Sequence, residues 1–480
     1  MPLIRDDHIL IISPGSETTL AQFGLGESLA PASIQVPTRV FANPLKHNPG
    51  KGINYFSSKG SEENAIYPIK AGKIVNLAAF NYLIKLIYRA VINSLPKINP
   101  PPLTAILLLT SNSWSRLQLE NITQYVFEVL NVPTFSVIST ALCASFAYNV
   151  QNALVIDIGK DKTEITPIVD YSPITVSSQT IPFGSSSINK SLKKLLPEFT
   201  DAQIETLKKS DIFQVLTPEE IAKSYSWLNT DDTGAPKTST DDGVVDVAAI
   251  VTSGRTREIL AQREKEKQQA LEDQRSGAAK EKPNEEREFS FFPDPVTGEP
   301  IRVGQPRFQG TEVLLEEITY AVGEVLKHLD ETSKRQDCWD NVIIVGRGSS
   351  VKGFKEALLF SLQSRYIITR QTLGSELPSM FNTSGYNTPN NGTPSGISTP
   401  IGGGSTLSGH AGHGQVPTQI RLTKQFDYFV EWKHYGWEEA SFLGAEIAAQ
   451  QIFNGAHENT FVSRTDYNAI GPSAIWELTL

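Results

Sequence analysis

Residues 9–23, ILIISPGSETTLAQF, and residues 153–168, ALVIDIGKDKTEITPI, are two versions of one device: an apolar strand, a turn of small residues, and a second strand running back. A device written twice points to a molecule built from two similar halves. Turn amides of such hairpins point inward, and an acid beside the turn can hold a metal-bound water, so a facing pair can cradle the phosphates of a nucleotide. The second copy carries that acid at Asp157. The first has Ser13 in the same place, so the device is duplicated and half disarmed.

Around the hairpins, strand and helix patterns alternate. Residues 105–110 (AILLLT) read as a buried strand entered from a Pro-rich stretch. The helix predicted over 115–130 sets Leu119, Ile122, Val126 and Val129/Leu130 on one face and stops before Pro133. The pattern returns with a strand at 342–345 (VIIV), a turn at 346–350 and an apolar helix at 354–362. Such alternation predicts an α/β architecture with mixed sheets, and 480 residues give room for about three domain-sized units.

A net charge of −9 argues against a broad basic field that would hold nucleic acid by its phosphates. Cys143 and Cys338 have neither metal-ligand spacing nor the count of a disulfide framework, and read as core residues in a reducing compartment. The first apolar run lacks a basic leader, and no apolar run approaches the ~18 residues of a spanning helix. A soluble, intracellular protein is expected.

Two segments have no pattern of a packed core. Residues 229–243 are rich in Asp and Thr, and residues 255–288 carry nine basic and nine acidic residues with almost no apolar stripe, which predicts a solvated charged insertion over about 229–300. Residues 374–417, rich in Gly, Ser, Thr, Asn and Pro, are expected to be a disordered loop. Thr388, Thr393 and Thr399 each precede a proline there and are candidates for proline-directed phosphorylation. His410 and His413 lie in the same loop without a third ligand, so no metal is assigned to them.

Further marks occur in a fixed order: YPIKAGKIVN at 67–76, ITQYVFEVLNVP at 122–133, the Asp157-Ile158-Gly159 turn, FVSRTDY at 461–467 and GPS at 471–473. Together with the two hairpins, this series resembles the signatures of actin and the actin-related proteins over nearly the whole chain apart from the insertions. Trp114-Ser115, SINKSLKKLL at 187–196, Arg307-Phe308-Gln309-Gly310 and Phe442-Leu443-Gly444-Ala445 are similar most of all to the fungal nuclear members of that family.

The resemblance implies a two-lobed α/β actin-like fold, a duplicated ribonuclease H-like fold with four subdomains and a nucleotide cleft. Residues 1–150 and 418–480 would form the first lobe, with 42–67 its small outer piece. Residues 151–183 and 310–373 would form the hub of the second, and 184–309 its enlarged outer piece.

The resemblance also implies what the cleft has lost. Gly15 and Ser16 of the first phosphate loop persist, but the metal-side acid is replaced by Ser13, a turn glycine by Glu17 and the phosphate lysine by Leu20. In the second loop Asp157 and Gly159 survive, while Asp161 takes a glycine position and Glu164 a histidine position. Thr140 stands where the family's water-orienting glutamine belongs, and Gly346-Arg347-Gly348 replaces a Gly-Gly-Thr turn beside the base. A carboxylate ~5 Å from a phosphate charge costs on the order of 3 kcal/mol at an effective dielectric near 20. Lys160 and Lys162 can offset part of that. The expectation is a vestigial cleft at Gly15, Ser16, Asp157, Gly159 and Gly346, with no catalytic residue, no metal and no required cofactor, weak ATP binding being left open. Each of these residues also has a plain structural reading: Asp157 as a cap on turn amides, the glycines as tight-turn residues.

With chemistry gone, surfaces would carry the function. The family's partner-binding groove maps to Phe146, Ala147, Ile447, Ala448 and Phe453, a set suited to an amphipathic helix or equally to core packing. For the nuclear branch, the resemblance implies a non-catalytic scaffold in SWI/SNF- or RSC-type chromatin remodeling complexes. Such a scaffold pairs with a second actin-related protein and binds the helicase-SANT-associated helix of the remodeler ATPase beside other remodeler subunits, in the nucleus. The alternatives are a nucleotide-binding actin-like ATPase or filament-forming protein, and a two-lobed sugar kinase, for which no catalytic base or sugar-binding cluster is found.

Overall fold

The structure is a computed structural model that describes residues 5–26, 29–42, 56–94, 104–216, 283–367, 417–454 and 459–479. The charged stretch as far as residue 282 and the 374–417 loop up to residue 416, with its threonines and histidines, lie outside the described residues.

The strands of the first half are β1 (Ile9–Pro14), β2 (Thr18–Phe23), β3 (Ile34–Pro37), β4 (Val40–Ala42), β5 (Phe56–Ser57), β6 (Ala65–Ile66), β7 (Ile69–Lys70), β8 (Lys73–Ile74), β9 (Ala105–Thr110) and β10 (Thr134–Ser139). They are followed by β11 (Ala153–Ile158), β12 (Thr163–Val169), β13 (Ser172–Pro173), β14 (Gln179–Ile181), β15 (Ser290–Pro293), β16 (Pro300–Val303), β17 (Val342–Val345) and β18 (Val462–Ser463). The described helices are α1 (Leu77–Ser94), α2 (Arg116–Glu128), α3 (Thr140–Ala147), α4 (Ser185–Leu195), α5 (Asp201–Lys209) and α6 (Glu312–Lys327). After them come α7 (Thr332–Asp340), α8 (Phe354–Tyr366), α9 (Val430–Tyr435), α10 (Ala440–Asn454) and α11 (Arg464–Ile470).

The described chain divides into two compact units, one of residues 1–188, 311–350 and 358–480, the other of residues 189–310 and 351–357. The first unit contains two sheets of the same plan. One runs β18-β10-β9-β1-β2-β3, the other β13-β12-β11-β17 with β14 also on β12. In each, an antiparallel hairpin is extended by a parallel strand: β1 pairs β9 and β11 pairs β17. The correspondence reaches single residues. Ser13 pairs with Leu20 across the first hairpin as Asp157 pairs with Glu164 across the second. The Gly15 amide donates to the Thr18 carbonyl at 3.0 Å as that of Gly159 donates to Lys162 at 2.9 Å.

The apolar strands are buried on both faces. Ile9 and Ile11 face one core with Leu107 and Leu109, while Leu10 and Ile12 face another with Ile106, Leu108 and helix α1. The first of these cores also takes Val155, Ile343 and Val345 of the second sheet, so α3 and α10 are packed as a filling common to both sheets. Alanines at 141, 144, 147, 445, 448 and 449 keep those helices close. A Cβ on Gly444 would collide with the Cys143 carbonyl, so only glycine permits that approach. Helix α2 starts at a capping box, Ser115 Oγ accepting from the Gln118 amide at 3.3 Å while Gln118 Oε1 accepts from the Ser115 amide at 2.9 Å.

In the second unit, β15 and β16 form a two-stranded hairpin, and the segment expected to end its charged insertion near residue 300 is already folded from Asn284 onward. The centre of this unit is Arg307, which is 0% exposed. Among the described residues it has no carboxylate partner. Its five N–H bonds are spent instead on oxygens of the chain: Asn284 Oδ1 at 3.1 Å, the carbonyls of Glu288 at 3.3 Å, Gly304 at 2.7 Å and Asn284 at 2.8 Å, and that of Arg287. Burial holds its guanidinium down at about 10. The Arg307 carbonyl accepts from the Gln214 amide at 3.2 Å, and Asn284 Nδ2 donates to the Ile212 carbonyl at 2.8 Å. The chain leaving at residue 216 and the chain returning at 283 are thereby tied at Arg307 and Asn284.

Candidate functional site: an ion-paired cleft and an apolar helix seam

The two hairpin turns of the first unit come together at the short β7–β8 ribbon. Gly72, at φ +74°, donates its amide to Ser16 Oγ at 3.0 Å, and its carbonyl accepts from Trp114 Nε1 at 2.9 Å and Ser113 Oγ at 3.0 Å. The stem of Lys162 lies against Gly72 where a Cβ would otherwise stand. Its ammonium pairs with Glu164 and donates to Ser111 Oγ at 2.9 Å. Glu164 is in turn saturated, taking the Asn112 amide at 2.7 Å and the Ser111 hydroxyl at 2.9 Å. Lys162 is 9% and Glu164 7% exposed, so this is a buried ion pair with hydrogen bonds on both partners. Nearer solvent, Lys160 of the second turn pairs with Glu17 of the first.

Several residues that depart from a phosphate-binding set have another occupation. Leu20 points into the core and is 7% exposed. The Thr140 hydroxyl donates to the Thr110 carbonyl at 3.1 Å. Arg347 turns away to pair with Glu439, which also accepts from the Tyr435 hydroxyl at 2.7 Å. Asp157 is half-buried beneath the next turn, where a Cβ on Gly346 would strike its Oδ1 and the Ile158 carbonyl; Gly346, at φ +88°, must be glycine for that packing alone. Desolvation pushes the Asp157 carboxyl up to about 6, with Lys162 opposing and Glu164 adding to the rise. Gly15 and Ser16 lie in the first hairpin turn, Asp157 and Gly159 at the second, and Gly346 against Asp157, but this donor set does not fit a magnesium–nucleotide. The cation that would face a phosphate is neutralised by Glu164, Glu17 adds an anion at the turn, and Ser13 replaces a metal-side acid. Among the described residues no group of three or more His, Cys, Asp or Glu side chains stands close enough to hold a metal ion.

The other candidate surface lies on the α3–α10 seam. Ala147, Ala448 and Phe453 are core residues at 1%, 2% and 5% exposure. Phe146 and Ile447 are half-buried at its edge, Phe146 with its ring centroid 5.5 Å from that of Tyr171. Sequence reasoning missed the Ser111-Asn112 corner and Gly72. It also passed over Glu446 on α10. A signal for the first existed: Lys162 and Glu164 are two apart on a strand and so share a face. For Glu446 the signal was a lone acid in the helix ASFLGAEIAAQQIFN.

Two hairpin-bearing sheets of one plan, with a turn-lined cleft and a helix pair packed between them, define the actin fold, and the chain belongs to the actin family: the model of that family matches residues 7–373. Among its relatives is a fission-yeast protein, the "SWI/SNF and RSC complexes subunit arp9" of Schizosaccharomyces pombe, 30% identical over 99% of both chains. Local likeness extends to the same organism's "SWI/SNF and RSC complexes subunit arp42", 35% identical over 15% of this chain and 18% of that one. A third relative is "Actin-related protein 4" of Yarrowia lipolytica, 27% identical over 22% of this chain and 24% of that one.

Proposed function

We propose that this protein is a non-catalytic, nuclear scaffold subunit of a SWI/SNF- or RSC-type ATP-dependent chromatin remodeler. In that role it pairs with a second actin-related protein and seats the helicase-SANT-associated helix of the remodeler ATPase. The observation that carries the reading is the end-to-end likeness to arp9, 30% over 99% of each chain, a named subunit of both complexes. The cleft supports it: a site whose lysine is committed to Glu164 and whose turns are joined by Lys160 and Glu17 needs no nucleotide to hold its hairpins together. Purification of the tagged protein from cells, followed by mass spectrometry, is expected to return a remodeler ATPase and another actin-related protein in stoichiometric yield. Isolation without them, accompanied by ATP turnover or nucleotide-dependent sedimentation of the purified chain, would replace this reading with that of an actin-like ATPase or filament.

A further inference from the structure

Glu446 is a charged residue type in an unusual place. It is 2% exposed, on a helix whose other buried residues are apolar except Ser441, and its Oε2 atom is buried without a hydrogen-bond partner among the described residues. A buried carboxyl oxygen left unpaired loses its hydration without gaining a bond in return, so a protein that keeps one leaves a bond to be made. The charge felt at Glu446 is another acid, Glu431 of α9, which is exposed; burial and then Glu431 push the Glu446 carboxyl up to about 8. Helical spacing puts Glu446 directly beneath exposed Gln450 and at the border of the solvent-facing stripe of Ile447, Gln450, Gln451 and Asn454. Asp6 adds a third acid at the far end of that stripe, accepting from Asn454 Nδ2.

We infer that Glu446, with Glu431 at the rim, is the recognition point for a lysine or arginine carried by an amphipathic helix that lays its apolar anchors beside Ile447. The occupant follows from charge complementarity. Three acidic side chains border this stripe, and that of Glu446 has a buried, unpaired oxygen, so an all-apolar helix would leave that oxygen orphaned while a basic side chain satisfies it and favours its ionised form. The inference rests on the proposed reading that this face receives the helicase-SANT-associated helix, and it names the chemistry of the contact.

The test is a binding titration of the full-length protein with a synthetic peptide of the helicase-SANT-associated segment of the Schizosaccharomyces pombe remodeler ATPase. Glu446→Gln, which keeps the shape of the side chain, is expected to weaken binding about tenfold while leaving the melting temperature unchanged or raised. Replacing the peptide's lysines and arginines by leucine one at a time is expected to find one position whose loss is not additive with Glu446→Gln, as direct partners must behave. Unaltered affinity of Glu446→Gln for a peptide that binds the parent protein overturns the inference alone. A peptide that binds neither protein overturns the functional reading on which it rests, and self-association of the chain through this stripe would assign the surface to a second copy instead.

Discussion

The cleft and the α3–α10 seam lie in the same unit and are built on opposite terms. The cleft is polar. Its hairpin turns are joined by Lys160 with Glu17, and Lys162 is locked between Glu164, Ser111 and Gly72. The seam is largely apolar, with alanines that keep the helices close and Gly444 against the Cys143 carbonyl. The cleft's lysines are both committed to glutamates of the chain itself. The difference teaches that side chains in a binding site can be exchanged for others that hold the fold, while a backbone-to-backbone contact has no substitute.

The comparison is tested hardest at Lys162. Lys162→Met strands Glu164 in a buried site, and urea unfolding is expected to show a loss of about 3–5 kcal/mol, the range for breaking one side of a buried pair. A loss below about 1 kcal/mol would mean that the pair is wetter than its burial indicates. In the seam, Gly444→Ala raises helix propensity by about 1 kcal/mol, yet it drives a methyl into the Cys143 carbonyl. The net expectation is destabilisation of about 1–3 kcal/mol in the same assay, and stabilisation would show that the two helices can part at no cost. The smallest effect belongs to Glu17→Ala. Glu17 and Lys160 are 60% and 45% exposed in their side chains, so stability is expected to change by less than about 1 kcal/mol and the change to vanish at high salt.

Much of this fold was legible because its signals are local. The 13/157 correspondence follows from strand alternation and turn glycines, and the structure returns it in the register of two hairpins, which also sets Leu20 level with Glu164. The helix expected over 115–130 appears as Arg116–Glu128, and the strand at 342–345 as Val342–Val345. The site was legible only in its parts. Lys160 and Lys162 stood out as possible counter-charges to the new acids, but which lysine meets which glutamate depends on side-chain reach across hairpins far apart in sequence. For the seam, periodicity fails because α10 is enclosed on nearly every side: Ala448 and Phe453 read alike as groove or core, and packing against α3 and the sheets, which no single helix encodes, sends both inward.

Arg307 leaves the molecule with a place to grow. The Arg307 carbonyl on the Gln214 amide and Asn284 Nδ2 on the Ile212 carbonyl hold the departing and returning chain side by side, while the guanidinium braces the returning side. The entropy of joining two such fixed ends rises only with the logarithm of the length between them, roughly 0.6 kcal/mol for each doubling. Over evolutionary time such a junction is an expansion slot, in which sequence of differing length can be tried between ends that stay in place.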